Sequence, residues 1–102
     1  MTEDESKEVW QELAAQWALV PAGQNLERPW EAILESLTER IGHMLDKDRA
    51  RLLQAFYRLD VDSARVERAL KSSELQKIPL ELAKIVLDRE IQKYHTRKKY
   101  SR

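Results

Sequence analysis

Apolar residues along this chain recur at intervals of three and four, the spacing that aligns one face of an α-helix. Trp10, Leu13, Ala14 and Trp17 form the first such stripe. It predicts a helix over residues 6–19 that stops before Pro21, with residues 21–25 (Pro-Ala-Gly-Gln-Asn) as a loop. Pro29 suits the first turn of a second helix, where its missing N–H has no intrahelical partner to lose. That helix carries the longest stripe: Trp30, Ile33, Leu34, Leu37, Ile41, Met44 and Leu45. Asp46-Lys47-Asp48 marks a break, with Asp46 or Asp48 capping a third helix whose inward residues are Leu52, Leu53, Phe56 and Leu59.

A sharper start signal follows at Asp60-Val61-Asp62. With Asp62 as N-cap, Val61 and Val66 have the spacing of a hydrophobic staple. The helix it opens, over residues 63–71, is expected to bury Val66, Ala69 and Leu70. Ser73 and Gln76 have capping-box spacing, enough for one extra turn. Pro79 then opens a last helix reaching about residue 96. Between residues 80 and 87 only Glu81 and Lys84 are polar, with Asp88 extending that narrow strip. A helix apolar around most of its circumference belongs at the centre of a bundle. The fold class is therefore all-α, a compact orthogonal or irregular bundle of four long helices plus one or two short ones. Residues 1–5 are expected to be a disordered acidic N-terminus, residues 6–96 a single helical-bundle domain, and residues 97–102 a basic C-terminal tail.

Composition agrees with this pattern. Gly and Pro together contribute five residues, too few for a turn-rich sheet protein. The absence of cysteine excludes disulfides and thiolate metal sites. The acidic start, Thr2-Glu3-Asp4-Glu5, is the reverse of a signal peptide, and no apolar run is long enough to suggest a membrane span. The expected location is cytoplasmic.

Charge changes the picture most. The total is neutral, yet residues 1–50 hold 11 Asp and Glu against 5 Lys and Arg, while residues 51–102 hold 7 against 13. Glu27, Glu31, Glu35 and Glu39 recur at i,i+4, where like charges repel along a helix. Lys93, Arg97, Lys98, Lys99 and Arg102 crowd the other end. These opposite patches can match each other within the chain, between two copies, or through a partner.

Reactive chemistry is poorly represented. His43 and His95 stand in no ligand pair, and Asp46 and Asp48 beside His43 are better explained as helix caps than as a metal cluster. The two Asp-x-Asp runs fail as calcium loops, with Arg51 or Arg65 where the loop needs Gly and Tyr57 or Lys71 where it needs Glu. No serine occupies a nucleophile elbow, and Gly23 and Gly42 are too few for a phosphate loop. Glu90 shares one side of the last helix with Ala83 and Leu87, which places a carboxylate near the core. A salt bridge to a cation such as Arg40 or Arg49 is its expected partner. Left unpaired, the carboxyl would have a raised pKa, and an enzyme using Glu90 is the third reading of function. Arg65 and Arg68 could present a DNA-reading face, but Glu67 lies between them and the helix is short.

The stretch Ala55-Phe56-Tyr57-Arg58-Leu59-Asp60-Val61-Asp62, with Pro79 and then Ile85-Val86-Leu87-Asp88-Arg89-Glu90-Ile91-Gln92-Lys93, resembles a group of small uncharacterised bacterial all-helical proteins. The resemblance covers roughly the C-terminal half and implies a bacterial cytoplasmic origin. It brings no activity with it, and the tryptophan-bearing first helix lies outside it.

These features together predict a non-enzymatic protein-interaction module or homo-oligomer that works through opposite charge patches. Glu27, Glu31, Glu35 and Glu39 form one contact surface, and Lys93, Arg97, Lys98, Lys99 and Arg102 the other. The alternative is accessory nucleic-acid binding by Lys93, Tyr94, Arg97, Lys98, Lys99 and Tyr100, since cations interleaved with tyrosines can neutralise phosphates and stack on bases. No cofactor, metal, membrane or small-molecule ligand is expected.

Overall fold

The computed structural model describes residues 3–19, 29–72 and 74–100. Among them the chain forms α1 (Glu3–Trp17), α2 (Pro29–Lys47), α3 (Arg49–Leu59), α4 (Ser63–Ser72), a 3₁₀ turn (Leu75–Lys77) and α5 (Ile78–Tyr100). The all-α bundle is as the apolar spacing predicts. The loop expected at residues 21–25 and the capping-box residue Ser73 lie outside the described residues, as do Glu27 and Arg102.

Local chemistry sets the breaks. Asp48 caps α3, its Oδ1 accepting the Arg51 backbone N–H at 3.3 Å. Asp62 caps α4 in the same way, accepting from Ala64 N–H at 3.0 Å, and half-buried Val61 and buried Val66 sit at the staple positions. Asp60 closes α3 in the left-handed conformation (φ 58°), which Asp tolerates better than most residues. α1 ends similarly at Ala18 (φ 53°), where Leu19 N–H reaches back to the Ala14 carbonyl at 3.2 Å.

α5 contacts every other element, and its most extensive contact is with α2. Its residues Leu82, Ala83, Ile85, Val86 and Leu87 are all buried. They meet Val9, Leu13 and Trp17 of α1, Ile33, Leu37, Ile41 and Met44 of α2, Leu52, Phe56 and Leu59 of α3, and Val66 and Ala69 of α4 in one core. Two expected core residues are on the surface instead: Leu53 is 53% exposed and Leu70 42%. α4 packs only on α5, so no second helix covers Leu70, and on α3 the 4,3 spacing of Leu52, Phe56 and Leu59 fills the strip that faces α2 and α5, which leaves Leu53 outside it. Val9 and Ser6 make the opposite change, being fully or nearly fully buried on α1.

Helical structure extends into both segments expected to lie outside the domain, at residues 3–5 and 97–100. The reason is mutual: the first and last helices exchange side-chain contacts along their polar edges, described below, and these hold turns that would fray in isolation.

Gly42 lies in the middle of α2, and a Cβ built there would meet Pro79 Cγ of α5 at 3.6 Å, an ordinary contact. Glycine inside a helix costs about 0.8–1 kcal/mol relative to alanine. Gly42→Ala is therefore expected to raise stability by about that amount, read as a higher urea midpoint. A lower midpoint would show that the α2–α5 contact cannot accept a methyl group.

Candidate functional site

The basic end of the chain is matched by α1. Glu5, Glu8 and Glu12, spaced three and four apart, form an acidic edge facing α5. His95 Nε2 lies 3.4 Å from Glu5. The Tyr94 hydroxyl donates to Glu8, which Lys98 also approaches at 3.8 Å. Arg97 grips Glu12 with both terminal nitrogens, the forked geometry that makes arginine–carboxylate pairs directional. Lys98 also stands over the Tyr94 ring, 5.8 Å from its centroid. Tyr94 is buried, and its phenol is pushed up to about 12, first by donating to Glu8 and then by burial.

Glu90 lies beneath this seam, 2% exposed. The salt bridge expected for it is not formed. Arg40 is anchored elsewhere, its Nε donating to the Trp17 carbonyl at 2.9 Å, and Arg49 is exposed at the start of α3. Glu90 meets Glu12 instead, and its Oε2 has no hydrogen-bond partner. Burial first, then the neighbouring Glu12, holds the Glu90 carboxyl above the usual range, with Lys93 and Arg97 opposing only in part. The Arg97 contact pulls Glu12 below its usual range. Glu90 is thus biased toward its protonated form and Glu12 toward its charged form, because two like charges cannot share a dry site cheaply. The surface depression beside this pair is lined by Glu8, Glu12, Tyr94, Arg97 and Lys98, without Glu90.

The glutamate stripe on α2 is separate from the basic end. Glu31, Glu35 and Glu39 are exposed. Glu35 and Glu39 form no ion pair or side-chain hydrogen bond among the described residues. Of the basic residues, Lys93 is half-buried near Glu12 and Glu90, Arg97 and Lys98 are engaged by α1, and Lys99 is exposed on the last turn of α5. Arg65 is paired with Asp88 at 3.3 Å, and Arg68 Nε donates to the Ala64 carbonyl of its own helix at 3.4 Å. Among the described residues no group of three or more His, Cys, Asp or Glu converges as a metal site would require.

Two features were missed in the sequence. The role of Glu5, Glu8 and Glu12 was legible in principle, as an acidic line on the polar side of an amphipathic helix, but its choice over α2 depends on which helix turns its acidic edge toward the C-terminal turns of α5. The second is α3, whose Arg51, Gln54 and Arg58 have helical spacing and whose Leu53 and Tyr57 stand out to solvent, Tyr57 at 88%.

No protein-family model matches the chain, and neither a curated protein nor a solved structure matches it.

Proposed function

We propose that this chain is a non-enzymatic protein-interaction module of the cytoplasm that binds a basic partner surface through the acidic face of α2. The observation that carries the reading is the stripe of Glu31, Glu35 and Glu39 at i,i+4 on an exposed face, with Glu35 and Glu39 unpaired while Glu5, Glu8 and Glu12 are matched within the fold. Like charges at that spacing cost a helix about 0.2–0.5 kcal/mol per pair. Retaining them is explained by steering and orienting a cationic partner. The lack of cysteine accords with a reducing compartment, and no helix among the described residues is long and apolar enough to cross a membrane.

The experiment compares wild type with the double variant Glu35→Gln, Glu39→Gln as baits in nuclease-treated lysate of the native cell. The variant is expected to lose a nuclease-resistant partner while becoming slightly more stable, by about 0.5 kcal/mol. Opposite signs for binding and stability separate an interaction surface from a stability device. A mass that rises with concentration would identify the partner as a second copy. Capture confined to nuclease-sensitive ribosomal or chromosomal proteins, unchanged in the variant, would overturn the reading in favour of nucleic-acid binding.

A further inference from the structure

The end of α1 borders two adjoining depressions, one of about 220 Å³ with α2 and α3 and one of about 310 Å³ with α3 and α5. Both are lined by Gln16, Trp17, Ala55 and Arg58. The first adds Arg40 and Arg51, and the second adds Lys93. Every charged side chain in the two walls is therefore a cation, and no carboxylate lines either one.

The cations of this fold divide into paired and unpaired, and the groove holds the unpaired kind. Arg65, Arg89 and Arg97 each lie within ion-pair distance of an aspartate or glutamate. The side chains of Arg51 and Arg58 make no ion pair or hydrogen bond among the described residues. Asp48, the acid nearest to Arg51 along the chain, has its Oδ1 on the Arg51 backbone N–H, and Asp60, the acid nearest to Arg58, lies 3.7 Å from Arg89. Lys93 feels Glu12 and Glu90 behind it, but Glu12 is held by Arg97 and Glu90 is pushed toward its neutral form. Arg40 is fixed in place by its bond to the Trp17 carbonyl, which also covers the negative end of α1.

Geometry makes the arrangement a wall rather than a scatter. Arg51, Gln54 and Arg58 are spaced three and four apart on α3, so they stand in line along one side. Behind them Trp17 packs on Phe56, ring centroids 6.2 Å apart, which gives the groove a rigid apolar floor. Forked guanidinium donors and neutral amides around a small concave space are the chemistry that recognises phosphate oxygens. One volume lies just below the usual range of ligand sites and the other at its lower limit, which suits a compact anion.

We infer that this groove binds a small molecule carrying a di- or triphosphate group, held by Arg51 and Arg58 with Arg40 and Lys93 flanking. The acidic face of α2 has no part in it, so the site stands or falls independently of the protein-binding reading. Calorimetric titration of the full chain at low salt with inorganic tripolyphosphate is the test. The variants are Arg51→Gln with Arg58→Gln, and a control of equal charge change, Lys71→Gln with Lys77→Gln, at exposed positions outside the groove.

Wild type and control are expected to bind alike, and the arginine variant at least about tenfold more weakly. Because both arginines are exposed, helix content by circular dichroism should be unchanged. If it is not, Arg51→Lys with Arg58→Lys keeps the charge, removes the fork, and is expected to weaken binding as well. A parallel titration with adenosine triphosphate separates the sources. Equal affinity would show that the phosphate chain alone is read, and tighter binding would add a nucleoside contact. Equal weakening in control and arginine variants, or no binding by wild type at millimolar tripolyphosphate, would overturn the site. So would binding of a single-stranded oligonucleotide in preference to both small anions.

Discussion

Replacing Leu82 by alanine is expected to cost about 2–5 kcal/mol of folding stability, a large share of the roughly 5–15 kcal/mol that holds a domain of this size together. Leu82 is fully buried on α5, the one helix that touches every other described element. Removing its branched end loses transfer free energy and leaves a cavity that several helices would have to move together to close. A melting temperature lower by about 10 °C or more should follow. Leu75→Ala is the matched control, since Leu75 is 86% exposed and its replacement is expected to change stability by no more than about 0.5 kcal/mol. Near-equal losses in the two variants would mean that α5 is not the centre of the bundle.

Glu90→Gln is expected to act in the opposite direction and to depend on pH. In the unfolded chain Glu90 titrates in the ordinary carboxylate range, whereas burial and Glu12 raise it in the fold. The native state therefore holds a proton that the unfolded state has released, and folding becomes less favourable as pH rises from the ordinary range through the raised value. Glutamine keeps the shape of the neutral carboxyl and can donate to Glu12 without a proton to lose. The variant should be more stable than wild type at pH 7, by about 1–3 kcal/mol, the free energy that wild type spends on taking up the proton when it folds. The difference should vanish near pH 4, where wild-type Glu90 is protonated in both states. Urea unfolding at the two pH values measures this. A variant less stable at pH 7 would show that Glu90 is charged in the fold and held by Lys93 or Arg97. Glu12 runs the other way: its value is depressed by Arg97, so the stability from that contact is present at neutral pH and is lost as pH falls through the lowered value.

Much of the secondary structure was legible because it is encoded locally. The stripe from Trp30 to Leu45 required α2, Pro29 and Asp48 set its ends, and Asp62 with Val61 and Val66 placed the start of α4. The near-continuous apolar run of residues 80–87 carried information about position as well, because only the central helix of a bundle can hide so many apolar side chains. Leu53 and Leu70 show where this reasoning ends. Apolar spacing says which side of a helix faces inward, but the width of the buried strip depends on how many neighbours the helix has, and α4 has one.

The electrostatic pairing followed the same divide. Sequence alone determined that an acidic half and a basic half coexist in a neutral chain, that the chain is helical, and that Glu90 lies on an apolar face. Tertiary structure alone decided that Glu5, Glu8 and Glu12 rather than the α2 glutamates meet His95, Lys98 and Arg97, that Glu90 is paired with another carboxyl, and that Arg40, Arg51, Arg58 and Lys93 border one groove. Helix formation depends on residues within a few turns of each other, whereas an ion pair or a binding groove depends on which helix surfaces face each other. In this chain those surfaces belong to residues as far apart as Glu8 and Tyr94, brought together only when the helices dock.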